Sequence, residues 1–225
     1  MTTDLHRVMH GVAIRKHGDA RAIAGLAGLA VAKVENVLRG ALAAGRVLEV
    51  DGKYMLTPCG QMMLAGEYSR FNDGLRADAD FSAAYQRFEV INKDLKQLIT
   101  DWQTIDVGGK RVANNHADRD YDQRVIGRLG DLHERFGPIL SKLCAAEPRL
   151  GIYRDKLGAA LDKAEDGELA WVSDAKLDSY HTVWFELHED LLRSLGHTRA
   201  FVGEHAHAGT PDTGTSASDH RDFAV

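Results

Sequence analysis

Apolar positions in the first seventy residues fall into short helical runs. Leu5, Val8, Met9, Val12 and Ile14 recur at mostly helical spacing up to Gly18, and Asp19 can cap a second run, ARAIAGLAG. Val31, Val34, Val37, Leu38 and Leu42 share the inner side of a third helix, with Gly45 as its stop. The period changes at RVLEVDGKYMLTP, where two β-type runs flank Asp51-Gly52, a two-residue hairpin signal. Pro58 then opens a further helix, CGQMMLAGEYSRF. The predicted order is three helices, a β-hairpin and a helix.

The remainder reads as helix. Phe81, Ala84, Phe88, Ile91, Leu95, Ile99 and Trp102 line one face of a helix over about 80–105. A polar loop, VGGKRVANNHADRD, follows, and Asp120 can cap a helix from Tyr121 to about Ala145. Its apolar stripe is Val125, Leu129, Leu132, Phe136, Ile139 and Leu143, and Pro138 inside it should kink the helix by removing a backbone donor. Pro148 starts a third helix to about Glu165, and Asp174 a fourth to Leu195. Four helices of this length fit a small bundle. The closing stretch is aperiodic and rich in Gly, Ser, Thr and Asp, which predicts disorder over 201–225. Its His205 and His207 form an HxH pair, too little for a metal site.

The stretch GLAVAKVENVLRGALAAGRVLEVDGKYMLTPCG resembles the recognition helix, wing and "LTPxG" exit of MarR- or PadR-type bacterial regulators, across roughly the first 65 residues. The resemblance implies a winged helix-turn-helix with a small β-hairpin wing at 1–70, and with the helical bundle read at 71–200 the expected protein is mainly α. The resemblance also implies a homodimer that binds DNA, with the bundle sensing a small, partly aromatic or amphipathic molecule. In such a regulator the start of the third helix enters the major groove and the wing lies on phosphates. Asn36 suits adenine, Lys33 and Arg39 suit guanine or phosphate, and Lys53 sits at the wing tip. Departures from the pattern are Ala30, where Ser or Thr is usual, and the acids Glu35, Glu49 and Asp51. Similar winged helices also act as accessory modules, some inside phosphotransfer enzymes of the pyruvate phosphate dikinase type. A protein partner in place of DNA is therefore the alternative.

Charge changes the picture only locally. The 225 residues carry a net −5, so no global basic field points to nucleic acid. Residues 1–70 hold nine Lys/Arg against six Asp/Glu, +3, leaving −8 elsewhere, which places any attraction for phosphate in the first third. Cys59 and Cys144 stand far apart, excluding a disulfide framework or a thiolate zinc site. The first ten residues include Asp4, His6, Arg7 and His10, unlike a signal peptide, and no apolar run reaches membrane-spanning length. The expectation is a soluble, cytoplasmic protein.

Candidate chemistry gathers at residues 179–192, SYHTVWFELHEDLL. At about 100° per residue, Leu177, Tyr180, Trp184, Leu187, Leu191 and Leu195 share one face, with His181 and His188 near its middle. Thr182, Glu186, Glu189 and Asp190 fall elsewhere, which reads as a solvated acidic face. His188-Glu189 lacks the second histidine of a zincin, since position 192 is Leu192. His181 and His188 lie about 10 Å apart along the axis, too far to share one ion readily. From other segments Asn92, Trp102, His116 and His133 can join Tyr180, His181, Trp184 and His188 around one interior. That set forms either a satisfied core network or a ligand pocket. No cofactor, metal site or catalytic group is expected. Glu134 and Glu186 do not share an interior, Gly108-Gly109 lacks the P-loop pattern, and no nucleophile sits at a strained turn. A small helical enzyme using buried histidines is the third reading.

Overall fold

The computed structural model describes residues 3–197. The expectation of disorder at 201–225, with His205 and His207, lies outside these residues. The protein is mainly α-helical. The first helix, α1 (Asp4–Arg15), is capped by Thr3, whose hydroxyl accepts from the His6 N–H at 3.2 Å. It ends three residues before Gly18, which instead exchanges backbone hydrogen bonds with Tyr54. Asp19 caps α2 (Ala20–Ala27) as expected, accepting from Ala22 N–H at 2.8 Å, and left-handed Gly28 closes it.

The third helix, α3 (Val31–Ala43), buries Val34, Leu38 and Ala41. Strands β1 (Val47–Val50) and β2 (Lys53–Leu56) pair antiparallel around Asp51-Gly52, both at positive φ, as a two-residue hairpin turn requires. Thr57 caps α4 (Pro58–Phe71), accepting from Gly60 N–H at 3.0 Å while donating to the Gly45 carbonyl at 2.8 Å. Gly60 is required there, because a Cβ would lie 2.0 Å from the Arg46 carbonyl oxygen. These elements close over one apolar cluster that includes Val8, Val12, Ile23, Leu38, Val47 and Leu64.

A short helix, α5 (Asp73–Ala77), leads into α6 (Ala79–Gln103), which packs along α7 (Arg119–Ala146). Ion pairs Asp94–Arg135 and Asp101–Arg128, at 3.0 and 2.9 Å, fix the two as antiparallel. Between them lies a second hairpin, β3 (Thr104–Val107) and β4 (Lys110–Ala113), which takes the last residues expected in the helix as well as the start of the expected polar loop. Its turn is Gly108-Gly109, both at positive φ. Asp118, not Asp120, caps α7, accepting from Tyr121 N–H at 2.9 Å. Pro138 stays within α7, where it leaves the Glu134 carbonyl without its helical donor.

A 3₁₀ turn at Pro148–Leu150 precedes α8 (Gly151–Glu165), then come α9 (Ala170–Ser173) and α10 (Tyr180–Leu195). The last helix starts later than expected. Asp174 turns its carboxylate to Lys176 N–H, whereas Ser179 caps α10 by accepting from Thr182 N–H. Helices α6, α7, α8 and α10 enclose a second apolar cluster, built around Phe88, Phe136, Tyr153 and Trp184. No helix among the described residues is long and apolar enough to cross a membrane.

Candidate functional site

Lys33, Asn36 and Arg39 lie on the exposed side of α3, because Val34 and Leu38 turn the opposite side inward. Their polar ends are already engaged: Lys33 pairs with Asp4 at 2.7 Å, and Arg39 donates to Asn36 Oδ1 at 3.2 Å. Lys53 stands exposed where β2 begins, beside a cavity it shares with Arg15, His17 and Lys176. Ala30 offers α3 no side-chain cap. Val31, Leu48 and Val50 add exposed apolar surface on the same elements.

Five of the residues expected at the bundle interior do meet. Trp184 donates its indole N–H to Asn92 Oδ1 at 3.1 Å, and Asn92 in turn donates to Glu89 at 3.3 Å. His188 Nε2 lies 2.8 Å from Glu89. Tyr180 and His133 Nδ1 pair at 3.2 Å. The space between these groups is occupied by Phe88 and Phe136, stacked and tilted against Trp184 at 5.0 and 4.6 Å. Burial lowers the His133 ring's pKa and does the same to half-buried His181, which sits one residue beyond Tyr180. Burial would raise the Glu89 carboxyl, but His188 and its other hydrogen-bond donors bring it below the usual value.

Trp102 and His116 form a separate cluster at the other end of α6. The rings lie 4.5 Å apart, and His116 Nδ1 faces buried Asp122 at 3.0 Å, with Asn114 donating to the same carboxylate at 2.9 Å. His116 adopts φ +56°, an uncommon backbone for histidine. The cluster is remote from the other candidates because Trp102 lies ten residues, about 15 Å of helix, beyond Asn92.

The acids of α10 are the main correction to the sequence reading. Glu186 and Asp190 are buried, Asp190 completely, and they face α1 and α8 rather than solvent. Arg149 grips Asp190 with two hydrogen bonds of 2.6 and 2.7 Å. Tyr153 donates its hydroxyl to Asp190 at 2.9 Å, and His10 Nε2 lies 2.9 Å away. Tyr68 then meets His10 Nδ1 at 2.7 Å. One turn earlier on α10, Glu186 is bound by Arg15, which also binds Asp178 just ahead of that helix. Burial would push the Asp190 carboxyl up, yet Arg149 and then His10 hold it well below the usual carboxylate range. Burial also lowers the His10 ring, against the pull of Asp190.

Asp190 therefore ties α1 and α4 to the 3₁₀ turn, α8 and α10. A cavity of about 340 Å³, bounded by His6, Arg7, His10, Asn72 and Arg149, opens beside it. Local sequence pattern could not find this site, since its parts come from five elements. The one local signal was His10 at a core-facing position of α1, next to Met9. Among the described residues no cluster of three or more His, Cys, Asp or Glu could hold a metal ion. No protein-family model matches the chain, and neither a curated protein nor a solved structure matches it.

Proposed function

We propose that the chain is a DNA-binding regulator whose N-terminal helices and first hairpin act as a winged helix, carried on a regulatory helical bundle. The observation that carries the reading is the exposed side of α3. Lys33, Asn36 and Arg39 lie along it at three-residue spacing, next to a hairpin that ends on exposed Lys53. Three-residue spacing keeps side chains on one strip of a helix, the arrangement that a major groove reads. On DNA, Lys33 exchanges Asp4 for a phosphate or base edge, and Arg39 releases Asn36. Two copies bind adjacent half-sites, as winged helices and other helix-turn-helix folds do on two-fold sites.

Duplex binding followed by fluorescence anisotropy across a salt series tests this. Affinity falls steeply with rising salt, and Lys33→Ala and Arg39→Ala each weaken binding and flatten the slope by about one counterion. Absence of binding at low salt sinks the reading. A second reading, a winged helix that docks on a protein, draws on exposed Leu48 and Val50, 53% and 47% accessible, and on the Lys33–Asp4 pair. It predicts that the full chain ignores duplex DNA at every salt concentration.

A further inference from the structure

His10 is the only titratable side chain of α1 that bonds Asp190 directly among the described residues. Its bonding directions follow from its neighbours. Asp190 is ionised and can only accept, so His10 Nε2 carries the proton. With the ring neutral, Nδ1 is an acceptor, and the Tyr68 hydroxyl must be the donor to it at 2.7 Å. The chain of donors thus runs from Tyr68 to His10 to Asp190, crossing from α4 through α1 to α10.

A second proton on this ring would sit on Nδ1 and break the bond that Tyr68 donates there. The hydroxyl would have to turn its own hydrogen away before its oxygen could accept from the ring. Charge balance opposes it as well. Asp190 is matched by the two-bond grip of Arg149, so a charged His10 would leave an excess cation in a site with His10 3% and Asp190 0% exposed. The nearest other anions lie toward solvent, which screens them: Glu67, beside His6, and Glu147, 3.7 Å from the Arg149 Nε, are 31% and 33% exposed, while Glu186 is held by Arg15. Arg193 on α10 lies against the Tyr68 hydroxyl, with its own charge met by Glu189 at 2.7 Å. Solvent protons still reach the ring, because His10 forms part of the wall of the cavity beside Arg149.

We propose that the His10–Asp190 contact is an acid-released latch: the neutral imidazole holds α1 and α4 on the bundle, and protonation at Nδ1 detaches them. The latch operates whatever the outer side of α3 binds. Its sign follows from linkage. Burial lowers the ring in the docked state, so the detached state takes up the proton first, and docking weakens as pH falls below about 6.5, the free histidine value. His6, the other buried histidine of α1, is also lowered by burial, but it meets Glu67, Tyr68 and Phe71 on α4, so its protonation bears on the packing of α1 with α4. One proton taken up makes the detached population rise by up to about tenfold per pH unit within that window.

The test uses the full chain. Ring-nitrogen NMR at pH 7.5 shows His10 as the neutral Nε2–H form, and a doubly protonated ring at that pH overturns the proposal. Hydrogen exchange, corrected for intrinsic rates, shows amides of α1 and α4 losing protection between pH 7 and 5.5 ahead of those in α6 and α7. Simultaneous loss in all four helices means global unfolding and overturns it too. His10→Gln keeps a donor near the Nε2 position and cannot titrate, so it removes most of the α1 acid response. An unchanged response in that variant assigns the effect to His6 or to the bundle histidines and refutes the latch. Should His10→Gln fail to fold, the two wild-type measurements decide.

Discussion

Helix α10 buries polar groups on two sides, and the two sides differ in what they ask of the rest of the chain. Towards α6 and α7 it presents Trp184, Tyr180 and His188, neutral or part-exposed groups that each meet a partner while large rings fill the space around them. Towards α1 and α8 it presents Asp190, a full charge with no exposure, held by Arg149, Tyr153 and His10. Aromatic packing is forgiving, since each ring needs only apolar neighbours of suitable size. A buried carboxylate needs donors at fixed positions, and it leaves their charges stranded when it goes. The first side holds the bundle together; the second specifies how the N-terminal helices sit on it.

The largest expected effect comes from breaking the charged side. Asp190→Ala strands the Arg149 guanidinium and should cost roughly 3–5 kcal/mol, read as a drop in the denaturation midpoint. A loss below about 1 kcal/mol would mean that water replaces the carboxylate, and the contrast between the sides would vanish.

On the aromatic side the expected loss is smaller. Trp184→Phe keeps a ring in place but deprives Asn92, 3% exposed, of its donor, for about 1–3 kcal/mol in the same assay. If this variant destabilised as much as Asp190→Ala, the polar bond rather than ring packing would dominate the bundle core.

The smallest effect belongs to the rim. His188→Leu removes a pair with Glu89 in which the two side chains are 12% and 19% exposed, and Asn92 remains to donate to the acid. Stability should fall by about 1 kcal/mol, the low end of the cost of leaving a buried acceptor short of a partner, because Asn92 still serves the other carboxylate oxygen and Glu89 is 19% exposed. A clear gain marks His188 as a histidine tolerated at a packing position, and a large loss would extend the charged logic of Asp190 to this side.

Much of the architecture was legible along the chain because it depends on neighbours in sequence. Asp51-Gly52 announced its hairpin, Asp19 its helix, and the stripe from Phe81 to Trp102 its buried face. The second hairpin was equally local, since Gly108-Gly109 is also a two-residue turn signal; it escaped because the polar run around it read as loop. Helical angle also grouped Trp184 with Tyr180 correctly. The same reasoning misplaced Glu186 and Asp190, because a helical wheel separates two sides of a helix without saying what covers the second.

By itself, then, the amino-acid order determined the helices, the turns and the apolar stripes, whose causes lie within a few residues. Only the tertiary structure decided which polar groups are buried together. His10 and Asp190 are 180 positions apart. A carboxylate on an outward-looking side becomes a core residue once α1, the 3₁₀ turn and α8 bring an imidazole, a guanidinium and a phenol to it. Desolvating a charge is tolerable only where such partners converge, and that convergence is a property of the packed chain.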